Sequence, residues 1–159
     1  MEELALADKQ FETAMANYNA GKHLEAQREF AEVQKSKSPK AASAALYEAR
    51  AVRAHSGCKA AVAYFSSVRA RFGASGVAAD ATWEQADCHR ILGEAAQARQ
   101  LWLALQDNKS YKAQATKELE SQGESASSGG DGSSTRQRNN PAPDTENEDD
   151  APQQQGQKK

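Results

Sequence analysis

Beyond residue 121 the chain has no aromatic residue and no Leu, Ile, Val or Met, so that stretch lacks the material for a second core and is expected to remain a disordered low-complexity tail, 122–159. Ordered structure is expected over 1–121, where all ten aromatic residues lie, between Phe11 and Tyr111. Charge of either sign is not in excess: 16 Lys plus Arg face 15 Asp plus Glu before residue 122, and the formal charge of the whole chain is −2. A polyanion binder needs a basic field, so no nucleic-acid partner is expected. No apolar run approaches the roughly 20 residues that cross a bilayer, and Met1-Glu2-Glu3-Leu4 is acidic where a signal peptide is basic. The expected location is therefore cytoplasmic as the sequence stands, and periplasmic if it is a piece of an anchored or secreted protein.

Proline is almost missing too. Pro39 is the sole one before residue 122, 29 of those 121 residues are alanine, and glycines fall between segments of helical apolar period. These features exclude a β fold and give an all-α chain. Gly21, Gly57 and Gly93 fall at an even step of 36 residues, each followed by a small residue and, four later, an aromatic: Ala26 with Phe30, Ala61 with Phe65, Ala98 with Trp102. A pair four apart shares one helical face, the alanine admitting a partner helix and the ring filling the space beside it. Val33, Val68 and Leu105 extend the stripe, and Ala14, Ala49 and Ala86 supply the facing contact. The unit is a helical hairpin, repeated three times. The helices are predicted over 3–20, 22–36, 40–55, 58–71, 77–92, 94–106 and 110–121. Ser38-Pro39 and 72–76 separate the hairpins, and Asp107-Asn108-Lys109-Ser110 caps a final helix that has polar residues on one side. Ala61 is expected at the helix contact and Ala44 further from it.

The spacing Gly-x-x-x-x-Ala-x-x-x-Phe in the first hairpin, one residue shorter in the second and ending in Trp in the third, resembles tetratricopeptide repeats over roughly 5–121. From Ala61 to Leu105 the pattern Phe65-x-x-Val68-x-x-x-Phe72-x-x-Ser75, then Ala86-x-Cys88-x-x-x-Leu92-Gly93, looks like repeats of bacterial envelope proteins of the Tol-Pal-associated YbgF/CpoB type. It also looks like the C-terminal repeats behind some anchored anti-sigma factors. Gly73 stands where the family has proline, and His23, Lys59 and Ala95 stand where it has the turn tyrosine. The resemblance implies an αα-hairpin solenoid of about three repeats plus a C-terminal capping helix. It also implies a protein or peptide partner held on the concave face by the first helices. Mapped on the family pattern, that face carries Phe11, Met15, Tyr18, Leu46, Arg50, Arg53, Trp83, Asp87 and Arg90. Phe11, Leu46 and Trp83 also fit hairpin cores, with core weighed ahead of groove. The three arginines suit a carboxylate, so an acidic or C-terminal peptide is the expected ligand.

No chemistry of another kind is expected. Ser66, Ser67, Asp80 and Asp87 have no motif around them, and a phosphate loop needs a strand. The chain is thus expected not to be an enzyme and to need no cofactor. His55, Cys58, Cys88 and His89 are zinc-ligand types, but neighbouring Cys88 and His89 point about 100° apart on a helix, against a shared metal. Two small buried thiols are favoured, with a Cys58–Cys88 disulfide as the alternative in an oxidising compartment. A structural spacer or self-association segment is the second functional reading.

Overall fold

The computed structural model describes residues 1–128, with side chains to 124, and the described residues are helical without strands. The expected tail lies, from residue 129 onward, outside the described residues. Seven helices follow in order: α1 Glu2–Asn19, α2 His23–Val33, α3 Ala41–Ser56, α4 Cys58–Arg71, α5 Gly76–Ile91, α6 Ala95–Ala104 and α7 Lys112–Ser128. Each packs on the next, α3 also touches α5, and Tyr47 of α3 meets Phe11 and Tyr18 of α1, so the first helices of the hairpins are neighbours. This is the αα-hairpin solenoid the repeat demands. Its last helix runs to Ser128, seven residues past the predicted end at 121, and the Gln122 side-chain amide donates to the Ala95 carbonyl.

The three turn glycines all have positive φ, 79°, 84° and 77° at Gly21, Gly57 and Gly93, which side-chain-bearing residues adopt at a cost. In hairpins one and three the turn spans three residues, whereas Gly57 alone joins α3 to α4. That shortening starts α4 at Cys58.

Every alanine of the repeat contact is fully buried: Ala14 with Ala26, Ala49 with Ala61, Ala86 with Ala98. Phe30 and Phe65 are 0% exposed and Trp102 2%, so the ring four residues on does fill the hairpin. Three core clusters result, one per hairpin, and each borrows from its neighbour: Ala44 of α3 lies in the first, Ala81 and Cys88 of α5 in the second, and Ala115 of α7 in the third. Ala44 lies outside the cluster between α3 and α4, and it is nonetheless as buried as Ala61, because its face of α3 packs on the preceding hairpin. Such shared clusters make stability a nearest-neighbour sum along the solenoid.

Cys58 and Cys88 are disulfide-bonded, with Cα atoms 5.0 Å apart, which corrects the expectation of two free thiols and removes both from any metal site. The one-residue turn puts Cys58 in the first turn of α4, beside the last turn of α5 that carries the buried Cys88. The bridge ties hairpin two to hairpin three. Among the described residues no three His, Cys, Asp or Glu side chains gather to hold a metal. No described helix is long and apolar enough to cross a membrane.

Candidate functional site

The side-by-side first helices α1, α3 and α5 form a wall whose outward residues come from one stripe of each. Phe11 of α1, Tyr47 of α3 and Trp83 of α5 stand 36 residues apart and are all half-buried. Tyr47 is the groove residue here, and Leu46, 4% exposed in the second core cluster, is not. One helical position is about 100°, enough to swing a side chain from groove to core. The rings interlock: Tyr47 lies 6.5 Å from Phe11 and 5.4 Å from Tyr18, both edge-on, and stacks on the buried Phe30 at 5.7 Å.

Two adjoining hollows, each about 530 Å³, open on this wall and share Asn19. Phe11, Met15 and Lys40 line the first, where the Lys40 ammonium sits 5.4 Å from the Phe11 ring centre. Tyr18, Tyr47, Arg50, Arg53 and Glu84 line the second. Arg50 lies over the Tyr47 ring at 4.8 Å, a cation–π contact. Of the expected site residues, the structure thus brings Tyr18, Arg50 and Arg53 to one hollow and Phe11 and Met15 to the next.

Trp83 has a different fate. Tyr111, at the entrance to α7, stacks on it at 5.5 Å and 18°, and donates its hydroxyl to Asp80. Burial, with Asp80 beside it, pushes the Tyr111 phenol up to about 12. Asn108 fixes this corner, its Oδ1 accepting from the amides of Ser110 and Tyr111. The far end of the wall is thereby covered by the chain's own ring. Arg90 is more exposed, and also borders a cleft under the end of α7.

All three arginines already hold carboxylates. The Arg50 Nε donates to both oxygens of Glu84 at 3.0 and 2.9 Å. Arg53 Nη2 donates to Asp87 Oδ2 at 2.7 Å, and Arg90 reaches Asp87 Oδ1 through Nε and Nη2 at 3.2 and 2.7 Å. Burial pushes the Glu84 carboxyl above its ordinary value, and the attraction of Arg50 only partly offsets it. Burial also works against the Arg50 guanidinium, but Glu84 more than compensates and its pKa is raised. Asp87 feels burial too, yet the hydrogen bonds from Arg90 and Arg53 bring it below the ordinary range. Asp87 is therefore a clamp between two arginines. Sequence reasoning missed Glu84, Tyr47 and Tyr111; of these only Tyr47 left a signal, the 36-residue step from Phe11.

These features define the class: a helical-hairpin repeat protein of tetratricopeptide-like fold, with an aromatic and ion-paired wall along its first helices. No protein-family model and no curated protein matches the chain. Among solved structures it is similar to PcrH, crystallised in complex with the chaperone binding region of PopB, with a TM-score of 0.54 and 19% identity, covering 72% of this chain and 95% of that one. At that identity the likeness establishes the fold.

Proposed function

We propose that the chain is a non-catalytic interaction module that holds a peptide or protein segment against the wall of α1, α3 and α5. The observation that carries this reading is the pair of contiguous hollows there, lined by half-buried rings whose neighbours fix them without covering them. A helix surface built only to space other parts would turn charge and small residues to water, not Phe11, Met15, Tyr18 and Tyr47. The fold neighbour was solved with a segment of another protein bound, which supports a segment as ligand in this chain as well. The disulfide supports an oxidising compartment, and with it the envelope or secreted setting that the YbgF/CpoB-like pattern implies. In the acidic-peptide form of the reading, a ligand carboxylate takes Arg50, Arg53 or Arg90 from an internal partner.

The test is capture from extract of the source cell by the full chain and by a Tyr18→Ala/Tyr47→Ala variant of unchanged helical circular dichroism. A partner held by the parent and lost by the variant is expected. A partner held equally by both would move the weight to the spacer reading, in which the wall is empty.

A further inference from the structure

We infer that the segment held in this groove is anchored by an uncharged, apolar side chain seated in the hollow lined by Tyr18 and Tyr47, and is not an acidic stretch. The inference rests on the groove reading above and names the ligand's chemistry.

Arg50, Arg53 and Arg90 are already paired with two carboxylates, Glu84 and Asp87, and Asp80, which accepts from Tyr111, stands one helical turn from Glu84 on α5. Each of these arginines thus has a carboxylate partner before any ligand arrives. An incoming carboxylate would approach Glu84 and Asp87 as closely as it approached the arginines. On Arg53 or Arg90 it would have to displace Asp87, leaving that group partly buried without its partner, and on the open Nη groups of Arg50 it would lie beside the Glu84 carboxylate held on Nε. Gain and loss cancel in kind, so acidity confers little affinity here.

What remains unspent is of another type. Tyr18 and Tyr47 present edge-on rings 5.4 Å apart, and among the described residues neither hydroxyl has a hydrogen-bond partner. Arg50 engages Glu84 through Nε alone, which leaves its two Nη groups without a hydrogen-bond partner among the described residues. The second hollow thus offers apolar ring surface ringed by unused donors. That combination suits a side chain of Leu, Met or Phe size, with flanking peptide carbonyls accepting from the phenols and the guanidinium. The hollow at Phe11 and Met15 adds a ring and a polarizable thioether within a charged rim of Asp8, Glu12 and Lys40, so a second apolar residue of the same segment has a place to sit.

The experiment is selection of a displayed random-peptide library on the full chain, followed by fluorescence anisotropy of an enriched peptide made with a C-terminal amide and with a free carboxylate. The expected result is enrichment of Leu, Ile, Met and Phe at net charge near zero. The amide and acid forms should then bind alike. Between about 50 mM and about 500 mM NaCl the affinity should change less than about twofold. Tyr47→Ala should weaken it by about tenfold or more, with Tyr47→Phe in between. Enrichment of Asp and Glu, a loss of about tenfold or more in high salt, or dependence on the free carboxylate would overturn the inference and leave the groove standing if Tyr47→Ala still weakens binding. Enriched peptides indifferent to Tyr18, Tyr47 and Arg50 together, or no enrichment at all, would count against the groove itself.

Discussion

Arg50 and Glu84 lie 34 residues apart in sequence, and the Arg50 Nε bridges both Glu84 oxygens at 3.0 and 2.9 Å. The pair joins α3 to α5 across the groove floor, with side chains 28% and 19% exposed. Arg50→Ala should destabilise the domain by about 1–3 kcal/mol in urea titration at neutral pH, because Glu84 is left partly buried and unpaired. Adding Glu84→Gln should recover most of the loss. If the double variant is as unstable as the single one, the contribution of Arg50 is its packing on Tyr47, not the ion pair.

The same carboxylates set a pH dependence. Glu48 and Glu84 are raised above 4.5, in each case first by burial. The stability each contributes is complete below 4.5 and is lost as pH rises through its folded value. Asp87 is depressed below 3.8, so its contribution is present above 3.8 and is lost as pH falls through its folded value. Tm should therefore climb as pH is lowered from 7 toward the region just above 4.5, then fall below 3.8. In a Glu48→Gln/Glu84→Gln variant the climb should vanish while the acid loss stays. A Tm that declines steadily from pH 7 in the parent would show that the paired form of Glu84 outweighs its burial.

The Cys58–Cys88 bridge closes a loop of sequence separation 30. Replacing both by Ser should cost about 3–4 kcal/mol if loop entropy in the unfolded chain dominates. Cys88 is 0% exposed and Cys58 is half-buried, so a reductant has poor access to the bridge in the folded protein. Mild reductant should leave the bond intact in the folded protein and cleave it rapidly in urea, as followed by thiol labelling and mass spectrometry. Rapid cleavage without denaturant would mean that α4 and α5 separate readily.

Ala61 and Ala44 are both 0% exposed, one between the helices of hairpin two and the other against hairpin one. Leucine at either position should overpack the interior by about 1–3 kcal/mol, while Ala63→Leu, on the exposed side of α4, should stay within about 0.5 kcal/mol. A harmless Ala44→Leu in denaturant titration would show that the face between hairpins is looser than the face within them.

The solenoid was legible in the sequence because each hairpin repeats the same requirement at the same interval: a turn glycine at positive φ, a buried alanine and a ring four residues on. The groove was only half legible. Aligned on Ala14, Ala49 and Ala86, the first helices offer Leu46 as the partner of Phe11 and Trp83. Aligned on the glycines, they offer Tyr47. α3 obeys both steps, placing Ala49 in the core and Tyr47 on the wall, and no sequence rule says which step the groove follows. The partners of the arginines were illegible for a different reason. Arg50 with Glu84 and Arg53 with Asp87 are contacts between helices, so cations that read as a free binding strip are already paired with carboxylates. The thiols were undecided in the same way, since their state depends on Cα atoms brought to 5.0 Å by a one-residue turn.

Site-specific photocrosslinking tests the central claim, that a partner segment lies on the wall of α1, α3 and α5, most directly. A photoreactive amino acid at Asn19, which borders both hollows, is compared in the source cell with one at Leu103, an exposed residue on α6. A discrete crosslinked partner is expected from position 19, abolished by Tyr18→Ala/Tyr47→Ala, and none of that mass from position 103. A partner captured from position 103 and not from position 19, or one from position 19 that survives loss of both tyrosines, would contradict it.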